Sequence, residues 1–258
     1  MLSYQHAYHA GNLADVHKHA LLAQALDYLT RKDKPLSYLE THSGRALYDL
    51  SGPEALKTGE AAQGIARVAD WFGPDHPYAR ALSAAKTQGP TAYPGSPFIA
   101  RHLLRADDRM TLAELHPTEA EALRAALPGA DIRQTDGLQM ALSLTPPEPR
   151  RGLMLLDPSW EVKSDWQALP KLVGQVHRKW GVGVLMMWYP ILTNGLHRPM
   201  VRALDALGID KAVRHEVAFP PAREGHGMIG SGLYVVNPPW GLDAAAQELG
   251  ARFATLKR

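Results

Sequence analysis

Four carboxylates stand at or just beyond the ends of short apolar runs: Glu40, Glu114, Asp136 and Asp157. The runs 36–40, 110–114 and 152–156 read as buried strands, and 131–134 as a short one. In a doubly wound α/β fold, ligands bind beyond the carboxyl ends of the strands, so these acids should gather along one edge. Such a row suits a nucleoside. An acid after the second strand accepts both ribose hydroxyls, and one after the third meets an adenine amine. Asp157-Pro158-Ser159-Trp160 adds the parts for holding a flat base by its exocyclic amine. The carboxylate and a turned-out proline carbonyl accept the amine's hydrogens while the aromatic stacks on the ring. The blander reading is a strand ending in an Asp-Pro turn over a core tryptophan, and the stretch alone leans that way.

The turn after the first strand, 41–46, carries Gly44 but has Ala46 where a second glycine is expected. It is not the G-x-G-x-x-G cradle of a pyrophosphate, which argues against a nicotinamide cofactor. S-adenosylmethionine has no pyrophosphate, and a poorer loop suffices for it. His6, His9, His17 and His19 look superficially like a metal cluster, yet no His-Glu-x-x-His spacing occurs and no metal is expected. On spacing alone His19 is a satisfied core histidine, Ser96 a helix cap and Tyr4 an apolar anchor. His42 stands at the active edge, where a structural and a functional role weigh about the same. A second stretch, Asn237-Pro-Pro-Trp240, matches the Asn/Asp-Pro-Pro-aromatic pattern of amino-methyltransferases better than Asp157 does. Position favours Asp157, because its strand falls beside the first strand at the switch point.

The 258 residues suffice for one large α/β domain, and 45% apolar with 21% charged residues is ordinary for a soluble chain. The absence of cysteine excludes disulfides, thiolate metal sites and cysteine nucleophiles. With no signal-peptide pattern and no apolar run long enough for a bilayer, a cytoplasmic enzyme is expected. A net charge of +2 permits a nucleic-acid partner without demanding one.

The elements that must position these groups alternate. Asn12 caps a helix to about residue 32, with Leu22, Leu26 and Leu29 on its apolar face and His19 beside them. Residues 49–92 have little β character and read as a helical insertion. Ser96 should cap a helix that has Pro97 at its first position, and Thr118 with Glu121 a capping box. Later helices are expected at 166–180 and 199–207, and strands at 182–189, 212–219 and 233–236. Residues 223–230 read as a mobile glycine-rich loop. The last two strands fall close together, which predicts a mostly parallel sheet with an antiparallel end strand.

Taken together, the stretch from His9 to His19, the Thr41-His42 turn, Tyr93-Pro-Gly-Ser-Pro97, Glu114-Leu-His-Pro117, Asp136-Gly137, Asp157-Pro158 and Asn237-Pro-Pro-Trp240 resemble the RlmJ family. Its members are S-adenosylmethionine-dependent methyltransferases acting on an adenine N6 of 23S ribosomal RNA. The resemblance implies a single Rossmann-like class I methyltransferase domain over 1–258, with a seven-stranded sheet and the insertion as a small helical subdomain. It implies that Lys18, His19, His42, Ser96, Glu114, Asp136, Gly137 and Asp157 line the cofactor pocket, with Asp157 also the catalytic acceptor. It places Tyr4, Pro158 and Trp160 against the substrate, 23S ribosomal RNA, and fits a monomer without metal or membrane. The chain departs from the family in reading Asp-Pro-Ser-Trp for Asp-Pro-Pro-Tyr, Glu40 for aspartate and Ala46 for glycine. A DNA adenine-N6 methyltransferase would keep the same site, and a catalytically impaired RNA-binding homologue would keep the pocket.

Overall fold

The structure, a computed structural model, describes residues 4–223 and 225–256. Its strands are β1 (Ser37–Glu40), β2 (Leu47–Asp49), β3 (Ala92–Pro94), β4 (Arg109–Ala113), β5 (Asp131–Arg133), β6 (Gly152–Leu156), β7 (Val184–Leu192), β8 (Ala212–Ala218) and β9 (Met228–Val236). The helices are α1 (Leu13–Thr30), α2 (Pro53–Thr58), α3 (Glu60–Gln63), α4 (Ile65–Val68), α5 (Pro77–Lys86), α6 (Ser96–Leu103), α7 (Pro117–Ala126), α8 (Gly137–Leu144), α9 (Asp165–Lys179), α10 (His197–Asp205) and α11 (Leu242–Ala254).

Seven strands form one sheet in the order β5-β4-β1-β6-β7-β9-β8. β1 pairs in parallel with both β4 and β6, so the chain reverses its direction of winding beside β1. β9 runs antiparallel between β7 and β8, one place in from the edge. Side chains alternate across the sheet with the period of the pleat. Tyr38, Leu112, Leu153, Leu155 and Met186 join the core under α1, α5, α6 and α11. Leu39, Met154, Leu156, Leu185, Met187 and Tyr189 join the core under α8, α9 and α10.

Several elements differ from expectation for local reasons. Asn12 caps α1 by accepting from the Asp15 N–H, but the helix is buried on nearly every face, Asp15, His17, Lys18 and His19 included. The stripe Leu22-Leu26-Leu29 is only part of its buried surface. Gly95, not Ser96, caps α6, which leaves the Ser96 hydroxyl free for another partner. No capping box forms at Thr118 and Glu121, because α7 already begins at Pro117 behind His116. The insertion is tied at its neck by an antiparallel ribbon, β2 with β3, too short to show period-two alternation. β7 continues through Pro190, past Met187 where β6 ends, and there only β9 flanks it. Met228, Ile229 and Gly230 belong to β9, while Glu224 of that loop lies outside the described residues. The helix α11 was not foreseen at all. No described helix is long and apolar enough to cross a membrane.

Candidate active site

A cleft of about 770 Å³ opens beyond the carboxyl ends of β1, β4 and β6. Of the residues singled out above for a site, Tyr4, Lys18, His19, His42, Ser96, Glu114, Asp136, Gly137, Asp157, Pro158 and Trp160 line it, and Glu40 and Asn237 do not.

Asp157 follows β6 directly. Lys18 Nζ, buried on α1, bonds Asp157 Oδ2 at 2.5 Å and pairs with Asp15 Oδ1 at 3.1 Å. Burial works against the Lys18 ammonium, but Asp157 and Asp15 outweigh it and raise Lys18 above its ordinary range. Burial likewise disfavours the Asp15 carboxylate, yet His6, Lys18 and His19 hold it well below the usual value. Asp15 Oδ2 also accepts from the Gly11 N–H and lies 2.9 Å from His6 Nε2, whose Nδ1 bonds the Tyr4 hydroxyl at 2.8 Å. The Tyr4 ring stacks on His9, and His9 and Asn12 both bond Glu60 of the insertion. The start of the chain is thereby tied across the cleft to α1 and α3. Sequence reasoning missed Asp15, His6 and Glu60. The i,i+3 spacing of Asp15 and Lys18 was the one available signal.

The turn after β1 forms the opposite wall. Glu114 Oε2 accepts the Gly44 N–H at 2.8 Å, and Oε1 accepts the His116 N–H at 2.7 Å. Burial raises Glu114, and these two bonds pull it back. Asp136 caps α8 through the Gln139 N–H. Gly137 is required where it is, since a Cβ there would stand 1.8 Å from the Thr41 carbonyl oxygen. This contact brings the positive end of α8 against the turn. Ala46 sits at φ +65°, the left-handed region that explains a preference for glycine. His42 bonds Thr41 Oγ1, and burial lowers it to about 4 despite Asp157 and Asp136, so its ring is neutral.

Three expectations change. Glu40 does not line the cleft: it is fully buried, accepting from Ser96 Oγ and, at 2.7 Å, from the Tyr38 hydroxyl. Burial pushes Glu40 up to about 8 against those two bonds. Ser96 is thus held by an acid and is no cap. His19 is a satisfied core histidine and a cleft residue at once: its Nδ1 bonds the Tyr93 hydroxyl at 3.0 Å, and burial lowers it to about 3. Trp160 lines the cleft wall but is only 8% exposed, its ring centroid 4.3 Å from that of Trp166 in the core under α9. Trp160, at φ +60°, packs as the core tryptophan that the stretch alone suggests, and the stacking face expected of a substrate contact is largely covered.

A sequence profile described as Ribosomal RNA large subunit methyltransferase D, RlmJ, matches residues 33–256. The Escherichia coli protein named ribosomal RNA large subunit methyltransferase J is 39% identical over 94% of this chain and 89% of its own length. Its Haemophilus influenzae namesake is 38% identical over 96% and 92%. The chain belongs to the RlmJ family. A solved Legionella pneumophila structure, 34% identical, superposes with a TM-score of 0.85 over 96% of this chain and 93% of that one. For an RlmJ-family chain the cleft divides at Asp157. The turn after β1, Glu114 and Asp136 form one half, and Tyr4, Trp188, Pro190 and Leu192 the other.

Proposed function

We propose that this chain transfers a methyl group from S-adenosylmethionine to the exocyclic N6 of an adenine in 23S ribosomal RNA. The observation that carries the reading is Asp157, held at the switch point by Lys18 between the two halves of the cleft. Family membership supports the methyltransferase class and the large-subunit RNA.

The residues of the β1 side fit the cofactor. Glu114 offers a carboxylate for ribose hydroxyls and Asp136 one for an adenine amine. Two buried polar atoms there, Ser43 Oγ and His116 Nδ1, have no partner among the described residues, as expected of groups that meet a ligand. The cofactor supplies an electrophilic methyl on a sulfonium. Lys18 occupies Asp157 Oδ2 and leaves Oδ1 for one amine hydrogen, and the Pro158 carbonyl takes the other. Both contacts orient the nitrogen lone pair toward the methyl, and positioning of this kind accounts for much of the rate. His19 and His42, both neutral, add no charge beside a cationic donor. Tyr4 meets the RNA at the mouth. The same reading makes the protein a monomer of the cytoplasm.

The test is methylation of deproteinised 23S rRNA with labelled S-adenosylmethionine, followed by mapping of the modified base. One N6-methyladenine is expected. Label on another atom, or only on DNA, overturns the reading.

A further inference from the structure

Three polar side chains behind the cleft, two of them buried and one half-buried, have no part in the site described so far. Ser231 on β9 and His17 on α1 have no exposed surface, and neither lines the cleft. His17 Nδ1 lies 2.8 Å from Ser231 Oγ, and His17 Nε2 lies 2.8 Å from Nδ1 of His215 on β8. Ser231 Oγ also accepts the indole N–H of Trp188 at 2.9 Å. Trp188 does line the cleft, and Lys18 Nζ stands 5.4 Å from its ring centroid, at cation–π range. On its far side His215 faces α11, where the backbone at Ala246 favours the protonated ring against the effect of burial. Gly250 leaves room for it, since a Cβ there would come within 3.2 Å of His215 Nε2.

An indole N–H can only donate, so Trp188 donates to Ser231 Oγ, while the serine hydroxyl keeps one hydrogen to give. With that hydrogen given to His17 Nδ1, a neutral His17 donates Nε2–H to His215 Nδ1, and each ring is confined to one tautomer. Burial lowers both histidines, which agrees with that arrangement. Apolar side chains would fill this volume without needing partners. What a satisfied polar chain adds is a single orientation for the ring at its end.

We propose that Ser231, His17 and His215 are positioning residues that act through Trp188 and Lys18 to set the carboxylate of Asp157. The proposal rests on the methyl-transfer reading above. Fixing the indole fixes the face under the Lys18 ammonium, and that ammonium holds Asp157 Oδ2. A misplacement of about 1 Å at the reacting groups can cost a hundredfold in rate.

A mutant cycle on kcat tests it, using deproteinised 23S rRNA and saturating S-adenosylmethionine. Ser231→Ala should lower kcat about three- to tenfold, as loss of one hydrogen bond allows. KM for the RNA and the Kd for S-adenosylhomocysteine should stay within about twofold, because none of the three touches either ligand. In a Trp188→Phe background, which keeps a ring but has no N–H, Ser231→Ala should lower kcat no further. Nitrogen NMR of the wild type should show both His17 and His215 as Nε2–H tautomers. An unchanged kcat in Ser231→Ala, an equal drop in both backgrounds, or an Nδ1–H tautomer at His17 overturns the inference alone. A wild type that transfers no methyl group to the RNA overturns the functional reading and this inference with it.

Discussion

Two stretches of this chain look alike and sit at opposite ends of the sheet. Asp157-Pro-Ser-Trp160 follows β6, a parallel strand, and opens onto the cleft. Asn237-Pro-Pro-Trp240 follows β9, which runs the other way and delivers it to the edge where β7 begins. There the Asn237 amide donates to the Gly181 and Gly183 carbonyls and closes the entry to β7. Both stretches contain a left-handed residue, Trp160 in one and Asn237 in the other. Their tryptophans behave oppositely, Trp160 being buried and Trp240 80% exposed. Strand direction, which no four-residue motif encodes, sets one stretch on the cleft and the other away from it.

The largest expected difference is in activity. Asp157→Ala should reduce methyl transfer by at least about a hundredfold, since the group that orients the amine is gone. Asn237→Ala should leave the rate near wild type and cost about 1–2 kcal/mol of stability for its two lost bonds. Initial rates and urea midpoints on the pair check this, and the comparison breaks if the activity loss follows Asn237. The tryptophans come next, now in stability. Trp160→Ala should cost about 3–5 kcal/mol, as truncation of a packed ring does. Trp240→Ala should stay within about 0.5 kcal/mol.

A third comparison stays within the active edge. Glu114→Ala should weaken S-adenosylhomocysteine binding by about 1.5–3 kcal/mol in calorimetry, because a charge-assisted contact is lost. Glu40 at the end of β1 should behave differently, with a smaller effect that depends on pH. Burial holds its folded pKa at about 8, above the unfolded value. Its contribution to stability is therefore complete below an ordinary glutamate's pKa and is lost as pH rises through about 8. Glu40→Gln should match the wild-type Tm near pH 5 and exceed it near pH 9. A Tm difference that does not change with pH would show that Glu40 is ionised throughout.

Strand positions and the gathering of acids were legible, because apolar runs and their terminal carboxylates are local features. The resemblance placed Lys18 and His19 at the pocket, and both line the cleft, where spacing alone made His19 a core histidine. What stayed hidden depended on distant partners. Ser96 looked like a cap because its bond to Glu40 spans 56 residues. Trp160 read as a core ring from its own stretch and as a substrate contact from the resemblance, and the ring that covers it, Trp166, belongs to the following helix. The ribbon of β2 and β3 is three residues a side, shorter than any periodicity can announce. α11 follows a proline pair in a polar stretch, and its buried face is only Leu242, Ala246, Leu249 and Phe253.

The nearly all-round burial of α1 has a consequence in time. This helix leaves the ribosome early, yet α11, which packs against it, ends at Ala254. At roughly 5–20 residues per second, more than two hundred residues of synthesis separate the two, an interval on the order of 10–50 s. Throughout it, the apolar surface destined for α11 has no partner, and for the first half of it the charged groups of α1 lie in water without Asp157. Nascent-chain folding should therefore be a late event in this protein. Truncations that stop short of α11 should bind chaperones through α1, however complete the rest of the sheet has become.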